Sequence, residues 1–69
     1  MAVTYRKLWH MLIDRKMKKK ELQAAAGLTH YVMLKLSRDE DVTTETLGKI
    51  CKALNCTTDD IMEFIPNTK

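Results

Sequence analysis

The sequence predicts an all-α protein, a compact bundle of five short helices that forms a single domain over residues 1–69. Apolar residues make up 45% of the chain and recur at the three- and four-residue intervals of amphipathic helices. Only two glycines and one proline are present, and helix-capping residues stand between the apolar segments. A helical bundle with one modest core is the class that fits this composition.

The first helix is expected over residues 5–16, with Thr4 as its cap. Its inward stripe should contain Leu8, Leu12, Trp9 and Ile13. For Trp9, a contact between two copies of the chain is the alternative to a place in the core. Met17 should pack inward where the chain turns.

Residues 18–38 have the pattern of two short helices joined by a tight turn. The apolar stripe of the first helix comprises Leu22, Ala25 and Ala26. Gly27 tolerates the positive φ that ends a helix, and Thr29 can cap the helix that follows. This order of helix, glycine turn and helix is that of a helix-turn-helix.

The second helix of this pair, residues 30–37, has two different faces at about 100° per residue. The core face comprises Val32, Met33, Leu36 and Ser37. The other face comprises His30, Tyr31, Leu34, Lys35 and Arg38. Cationic, aromatic and polar groups around one leucine suit a surface that contacts a ligand, so the segment is predicted to be a DNA-binding helix-turn-helix.

Positive charge is concentrated on this part of the chain. Residues 1–38 contain nine Lys/Arg and two acidic residues, a net charge of +7, whereas residues 39–69 contain three Lys/Arg and seven acidic residues, a net charge of −4. A positive surface favours a polyanionic partner, although a solvated lysine-rich surface is the alternative. The segment RDEDVT, residues 38–43, is expected to be a solvated loop whose acidic side chains keep phosphate away from that side.

Three consecutive lysines, Lys18, Lys19 and Lys20, stand at the start of the second helix. The helix dipole disfavours cations there. A DNA phosphate would offset this cost, since it accepts hydrogen bonds from the free N–H groups as well as from the ammonium groups. The lysines are therefore candidate phosphate contacts.

The rest of the chain completes the predicted bundle. Thr43 should cap a fourth helix that ends at Asn55. A fifth helix is expected after Thr57, with Asp60 completing a capping box. It should contribute Ile61, Met62 and Phe64 to the core before Pro66 ends it.

A longer similarity runs through YRKLWHMLIDRKMKKKELQAAAGLTHYVMLKLSRDEDVTTETLGKICKALNCTTDDIMEF, residues 5–64. Its strongest matches are Leu22, the Gly27-Leu28-Thr29 turn, Leu36 and the TLGKICKALNC run from Thr46 to Cys56. On these residues the chain resembles small Cro/repressor-type, XRE-like helix-turn-helix transcriptional regulators of bacteria and their mobile elements. Gln23 and Ser37 depart from the family pattern, which usually has Ala and Glu at these two positions.

The resemblance implies the fold of phage-repressor DNA-binding domains, with helices 2 and 3 as the helix-turn-helix and double-stranded DNA as the partner. By family position, His30, Tyr31 and Lys35 enter the major groove with Leu34 beside them, and Lys18 and Lys19 contact phosphates. Lys20, Thr29 and Arg38 are further phosphate candidates.

The chemistry of these side chains is compatible with base contacts. Lys35 can donate to guanine, and Leu34 or the Tyr31 ring can pack on a thymine methyl group. For His30, an ordinary exposed residue is the alternative. Arg38 is the only Arg, Asn or Gln on this face, so we expect modest base discrimination or a dependence on DNA shape.

The expected function is sequence-specific regulation of transcription, most simply repression, in the bacterial cytoplasm and at the nucleoid when the protein is bound to DNA. A homodimer should form through the fifth helix, the tail or Trp9, or should form only on DNA. The alternative function is a helical protein-interaction module of the antitoxin or structural kind. RNA binding is a third possibility, against which the scarcity of stacking aromatic residues argues.

Other classes of protein find little support in the sequence. One serine, no phosphate-binding glycine loop and no HExxH motif predict no enzyme and no cofactor. The potential ligands His10, His30, Cys51 and Cys56 lack metal-site spacing, so no metal is expected. The two cysteines should be buried or half-buried thiols, with a disulfide as the alternative. No apolar run approaches the roughly 20 residues of a membrane span, and the first residues lack a signal-peptide core.

Overall fold

The structure is a computed structural model that describes residues 2–66. Four α-helices lie between two short strands. The elements in chain order are β1 (Ala2–Thr4), α1 (Arg6–Asp14), α2 (Lys19–Ala26), α3 (His30–Ser37), α4 (Thr44–Leu54), a single 3-10 turn (Thr58–Asp60) and β2 (Glu63–Ile65). The two strands form an antiparallel sheet in which Val3 lies opposite Phe64. None of the helices within residues 2–66 is long and apolar enough to span a bilayer.

One core joins the helices to β1. It consists of Val3, Tyr5, Leu8, Leu12, Leu22, Ala26, Leu28, Met33, Leu36, Ile50, Leu54 and Ile61. α2 packs against both α3 and α4, so its apolar stripe holds the helix-turn-helix on the rest of the domain. Two residues that were predicted to face the core do not. Ala25 of α2 is exposed, and Ile13 of α1 exposes 72% of its surface. Trp9 is half-buried at the margin of the core.

All four helices end in the same way. A backbone N–H just after each helix donates to the carbonyl oxygen five positions earlier, from Met17 to Leu12, Leu28 to Gln23, Glu40 to Lys35 and Cys56 to Cys51. The residue before each donor has a left-handed backbone, and these residues are Lys16, Gly27, Asp39 and Asn55. This is the hydrogen bond of the Schellman motif, which satisfies the last carbonyl groups of a helix and turns the chain sharply. The predicted stops at Gly27 and Asn55 are confirmed.

The predicted fifth helix is wrong, and with it the all-α class. Thr57 and Asp60 do form the predicted cap, with the Thr57 N–H donating to the Asp60 carboxylate at 3.1 Å, but only one 3-10 turn follows. Pro66 disfavours a helical backbone at the preceding residue, Ile65, which is instead in a strand. The Glu63–Ile65 strand satisfies its backbone groups on β1, and Phe64 is exposed instead of being in the core.

The start of the first helix also differs from the prediction. Tyr5, not Thr4, occupies the cap position, and Thr4 is a buried residue of β1. The buried Tyr5 donates its N–H to the Asp39 carboxylate at 3.0 Å and its hydroxyl hydrogen to the Glu40 carbonyl at 2.7 Å. The loop after α3 is therefore attached to Tyr5, between β1 and α1, and is not simply solvated.

Candidate nucleic-acid interface

The start of α2 is built around Lys18, which is the cap residue and has an extended backbone. Its own N–H donates to the Glu21 carboxylate at 2.7 Å. Glu21 thus occupies the Lys18 amide and places a negative charge in the first turn, where the helix dipole favours it. A phosphate at this end would meet the ammonium groups of the lysines and the amides of the next residues, but not the amide of Lys18.

The three lysines of the predicted phosphate cluster do not have the same surroundings. The Lys19 ammonium lies over the Trp9 ring, 4.6 Å from its centroid. A cation–π contact of this kind holds Lys19 against α1. Lys19 and Lys20 both line a groove between α2 and α3 that also contains Gln23 and His30. Lys18 is exposed and forms no ion pair within residues 2–66.

The turn between α2 and α3 has the geometry that the sequence predicts. Gly27 has a φ of +67°, and the Leu28 N–H donates to the Gln23 carbonyl at 2.9 Å. The Leu28 side chain enters the core. The Thr29 hydroxyl accepts the Val32 N–H at 3.2 Å, which confirms Thr29 as the cap of α3. Because this hydroxyl uses an acceptor site here, its hydrogen stays available for a phosphate oxygen.

α3 has the two faces that its sequence predicts. Met33 and Leu36 are buried, whereas His30 is exposed and Tyr31 and Leu34 expose 66% and 39% of their surfaces. The outer face of α3 thus leaves an aromatic ring and a leucine side chain accessible to a partner. Arg38 is exposed at the cap position after the helix.

The outer face of α3 has two flanks. His30 and Leu34 lie beside α2, in the groove that contains Lys19, Lys20 and Gln23. Tyr31 and Lys35 lie on the opposite flank, in a groove lined by the loop after α3 and the first turn of α4, including Asp41 and Thr43. The Lys35 ammonium is 5.3 Å from the centroid of the Tyr31 ring. The four predicted base contacts thus lie on one helix face but in two separate sets.

Gln23 lies among the candidate site residues, although the sequence analysis did not name it as one of them. Its half-buried side chain lies in the groove with Lys20 and His30, although it belongs to α2 and not to the predicted contact face of α3. An amide donates and accepts at once, which matches the N6 and N7 edge of adenine and also phosphate oxygens. The sequence did contain one indication of this, because Gln23 replaces the small Ala that the family usually has at this position.

The two cysteines are free thiols that pack at the margin of the core. Cys51 and Cys56 are free and half-buried, as predicted. Burial is the main cause that raises the pKa of the Cys56 thiol, and the neighbouring Cys51 is the second. A raised pKa keeps the thiol protonated and a weak nucleophile. Within residues 2–66, no three His, Cys, Asp or Glu side chains are grouped in a way that could hold a metal ion.

The chain is similar to known DNA-binding proteins. The sequence matches the Cro/C1-type helix-turn-helix DNA-binding domain over residues 7–67. It is also similar to the crystal structure of the transcriptional regulator VanUg, form II, with 45% sequence identity and a TM-score of 0.91 over 96% of this chain and 88% of that chain. No curated protein matches the sequence. Since the match spans almost all of the described residues, the chain belongs to the Cro/C1-type helix-turn-helix family and is a DNA-binding protein rather than an enzyme.

Proposed function

We propose that this protein regulates transcription by binding a double-stranded operator, most simply as a repressor that blocks polymerase. The observation that carries the proposal is the exposed outer face of α3, with Tyr31 and Leu34 in solvent, next to the lysines that start α2. The similar VanUg structure is that of a transcriptional regulator. On this view the whole chain, residues 1–69, is one DNA-binding domain that acts at the nucleoid in the bacterial cytoplasm.

The two helices of the motif have different roles: α2 contacts phosphates and α3 contacts bases. Lys18, Lys19 and Lys20 of α2 contact phosphates and fix the position of the protein on the duplex, which depends on charge and not on base sequence. Thr29 and Arg38 contact phosphates at the two ends of α3. α3 then enters the major groove, where base edges present distinct patterns of donors and acceptors.

The two flanks of α3 suggest two sets of base contacts. On one flank, His30 and the Gln23 amide donate to base acceptors, and Leu34 packs on a thymine methyl group. On the other flank, Lys35 donates to O6 and N7 of guanine beside the Tyr31 ring. Because the sets lie on different flanks of one helix face, we expect them to contact neighbouring base pairs.

Two copies bind two half-sites. Helix-turn-helix regulators that act as dimers place their recognition helices about 34 Å apart, one turn of the double helix. The operator of this protein is accordingly expected to be an inverted repeat with half-site centres about 10–10.5 base pairs apart, by the same geometry.

Selection from a random duplex pool tests the proposal, followed by affinity measurements on the recovered duplexes at two salt concentrations. We expect enrichment of an inverted repeat and affinity that falls steeply with salt. An enriched single half-site would support base recognition and contradict the dimer. An absence of binding at low salt would overturn the DNA proposal and favour the protein-interaction module, whose affinity for its partner should survive high salt.

A further inference from the structure

A groove with a volume of about 530 Å³ lies between the end of α1 and the start of α2. We call it the α1–α2 groove. Four apolar residues, Trp9, Leu12, Ile13 and Met17, line it together with the three lysines at the start of α2. Its volume lies within the range of about 300–1,000 Å³ that is usual for sites that bind small molecules. Contacts with DNA phosphates account for the lysines of this groove but not for its apolar residues.

The apolar residues of the α1–α2 groove form one continuous surface. Leu12 is buried, whereas Trp9 and Met17 are half-buried. Trp9 and Ile13 are four positions apart on α1, so their side chains stand on the same side of the helix, one turn apart. Ile13 exposes 72% of its surface although it adjoins this apolar surface. A hydrocarbon ligand that lay along it would remove the isoleucine side chain and the indole ring from water, which is favourable.

The charge around the α1–α2 groove has a single sign. Every polar side chain that lines it within residues 2–66 is a lysine, and Lys18, Lys19 and Lys20 are all exposed. Like charges repel one another, so an anion held among the three ammonium groups relieves repulsion and accepts charge-assisted hydrogen bonds. The charge therefore selects an anionic ligand and disfavours a cationic one.

Lys19 brings the charge and the apolar surface together. Its ammonium lies over the Trp9 ring, 4.6 Å from the ring centroid. An ammonium group has three N–H donors, and the ring faces it from one side only, so donors stay available for a carboxylate. A carboxylate bound there has its attached hydrocarbon next to the indole ring. One small molecule can thus use both properties of the groove at once.

We propose that the α1–α2 groove binds a small organic acid, with its hydrocarbon body against Trp9 and Ile13 and its carboxylate among the three lysines. The groove is open to solvent, because Ile13 and the lysines are exposed. An open site of this size binds weakly. For an aliphatic acid of about a dozen non-hydrogen atoms, we expect half-saturation on the order of 1 mM.

Binding of the acid would oppose binding of DNA, and this consequence rests on the proposed function. The lysines of the groove are the proposed phosphate contacts, so a bound carboxylate and a DNA phosphate compete for the same ammonium groups. The coupling is reciprocal, since each ligand lowers the affinity for the other by the same factor. The organic acid thus acts as an effector that releases the protein from its operator.

Fluorescence of the full chain without DNA tests the site directly, because Trp9 is the only tryptophan in the sequence. Decanoate is the probe. We expect a saturable shift of the emission to shorter wavelength, since the hydrocarbon displaces water from the half-buried ring. Sodium acetate has the carboxylate without the chain and should cause no shift. Decyltrimethylammonium chloride has the chain with a positive head group and should also cause none.

Two results of this titration would overturn the proposal. One is an unchanged emission at every decanoate concentration up to about 10 mM, well above the expected half-saturation. The other is an equal shift with decyltrimethylammonium, which would mean that the surface binds any hydrocarbon chain and that the lysines select nothing. Circular dichroism in the presence of each probe establishes that the protein stays folded.

A matched pair of variants tests the location of the hydrocarbon. Ile13→Gln removes an apolar side chain of the groove and retains Trp9, so it should raise the decanoate concentration at half-saturation about fivefold or more. Ile65→Gln makes the same change at another exposed isoleucine, on β2, and should respond like the wild type. Equal responses of the two variants would contradict the assignment of the site.

A second pair tests the head group. Lys20→Gln removes one of the three charges of the groove and should weaken decanoate binding severalfold. Lys49→Gln removes an exposed lysine of α4 and should leave binding unchanged. If both variants weaken binding equally, decanoate responds to the overall charge of the protein and not to the α1–α2 groove.

Competition with DNA is measured separately, by titrating the selected operator with and without saturating decanoate. Decanoate should weaken operator binding of the wild type about fivefold or more. Ile13→Gln should bind the operator like the wild type when decanoate is absent and should lose most of the response to decanoate. A shift of the Trp9 emission without any change in operator affinity would contradict the competition. Because the fluorescence titration contains no DNA, the site and the proposed function can fail independently.

Discussion

Lys35 and Lys18 carry the same charge in different surroundings. Lys35 is half-buried on the outer flank of α3, with its ammonium 5.3 Å from the centroid of the Tyr31 ring. Lys18 is exposed at the start of α2. A lysine held beside a groove-facing aromatic ring suits contact with a base, whereas a free lysine at a helix end suits contact with phosphate.

Substitution of each lysine should separate the two roles. Lys35→Ala should weaken binding to the selected operator by about 1–3 kcal/mol and leave binding to random duplex nearly unchanged. Lys18→Ala should weaken binding to both duplexes alike and lower the salt slope by about 1. Titration of both variants against both duplexes measures this, and equal behaviour of the two variants would contradict the division of roles between α2 and α3.

Tyr5 joins the start of α1 to the loop that follows α3. Its ring is almost completely buried, and its hydroxyl and N–H bind Glu40 and Asp39 across the core. Burial is the main cause that raises the pKa of the Tyr5 hydroxyl, and the negative charge of the nearby Asp41 carboxylate is the second. Each of these features favours the neutral side chain in the folded protein.

Removal of the Tyr5 hydroxyl tests the value of this connection. Tyr5→Phe leaves the Glu40 carbonyl without its donor, so we expect a loss of about 1 kcal/mol in the free energy of unfolding. For a domain of this size that corresponds to a melting temperature lower by about 4–8 °C. Thermal unfolding at neutral pH measures it, and an unchanged melting temperature would show that water replaces the bond without cost.

The raised pKa of Tyr5 also predicts how stability changes at high pH. The unfolded chain releases the Tyr5 proton near pH 10, the ordinary value of about 10 for tyrosine, while the folded protein retains it to higher pH. The wild-type protein should therefore lose stability as the pH rises above about 10, since the unfolded state then binds fewer protons. Tyr5→Phe lacks this titration and should lose less between pH 10 and 11 in urea unfolding. Parallel losses in the two proteins would contradict the assigned shift.

The two glycines belong to different local structures. Gly27 ends α2 with a φ of +67°, whereas Gly48 is exposed within α4. A Cβ atom added at either position would meet nothing within 4 Å, so packing does not distinguish them. Only the backbone conformation does.

The same substitution should thus have opposite effects at the two sites. Gly27→Ala should destabilise the protein by about 1 kcal/mol, because an L-residue is strained in the left-handed region. Gly48→Ala should stabilise it by about 0.5–1 kcal/mol, because alanine is the better helix former. Urea unfolding of both variants measures the difference. Stabilisation by Gly27→Ala would mean that the turn between α2 and α3 can adopt another conformation.

Charge is distributed unequally over the molecule as a whole. The net charge of +7 on residues 1–38 lies on the part of the chain that contains the helix-turn-helix, and the later acidic residues leave the total at +3. Each phosphate contact releases counterions, so the number of lysines at the interface determines the dependence of binding on salt.

Two double variants of equal charge test this distribution. Lys18→Ala with Lys20→Ala should reduce the slope of log affinity against log salt by about 2. Lys49→Ala with Lys52→Ala removes two exposed lysines of α4 and should leave the slope unchanged. If both double variants reduce the slope equally, the positive charge acts as a general field and not as an interface on α2.

Much of the fold follows from contacts between residues that are close in the chain. The caps at Thr29 and Thr43, the left-handed stops at Gly27 and Asn55 and the two faces of α3 each depend on backbone and side-chain groups within a few positions of each other. A pattern in the sequence can therefore predict them. The helix-turn-helix and its family were recognisable for this reason.

Features that join distant parts of the chain were not predictable in the same way. A strand of three residues has no periodicity of its own, and Glu63–Ile65 is a strand because β1 satisfies its backbone. The hydrogen bonds of Tyr5 to Asp39 and Glu40 and the stacking of Lys19 on Trp9 depend on how the helices pack.

The candidate interface is divided between the same two kinds of information. The sequence established that α3 has an exposed polar face and that lysines precede α2, because helical spacing and position along the chain suffice for that. Packing of α2 and the loop after α3 against that face separated His30 and Leu34 from Tyr31 and Lys35, and brought Gln23 into the first set. Such neighbours are fixed only when the helices bury their apolar stripes in a common core, since burial of these stripes determines which side chains share a groove.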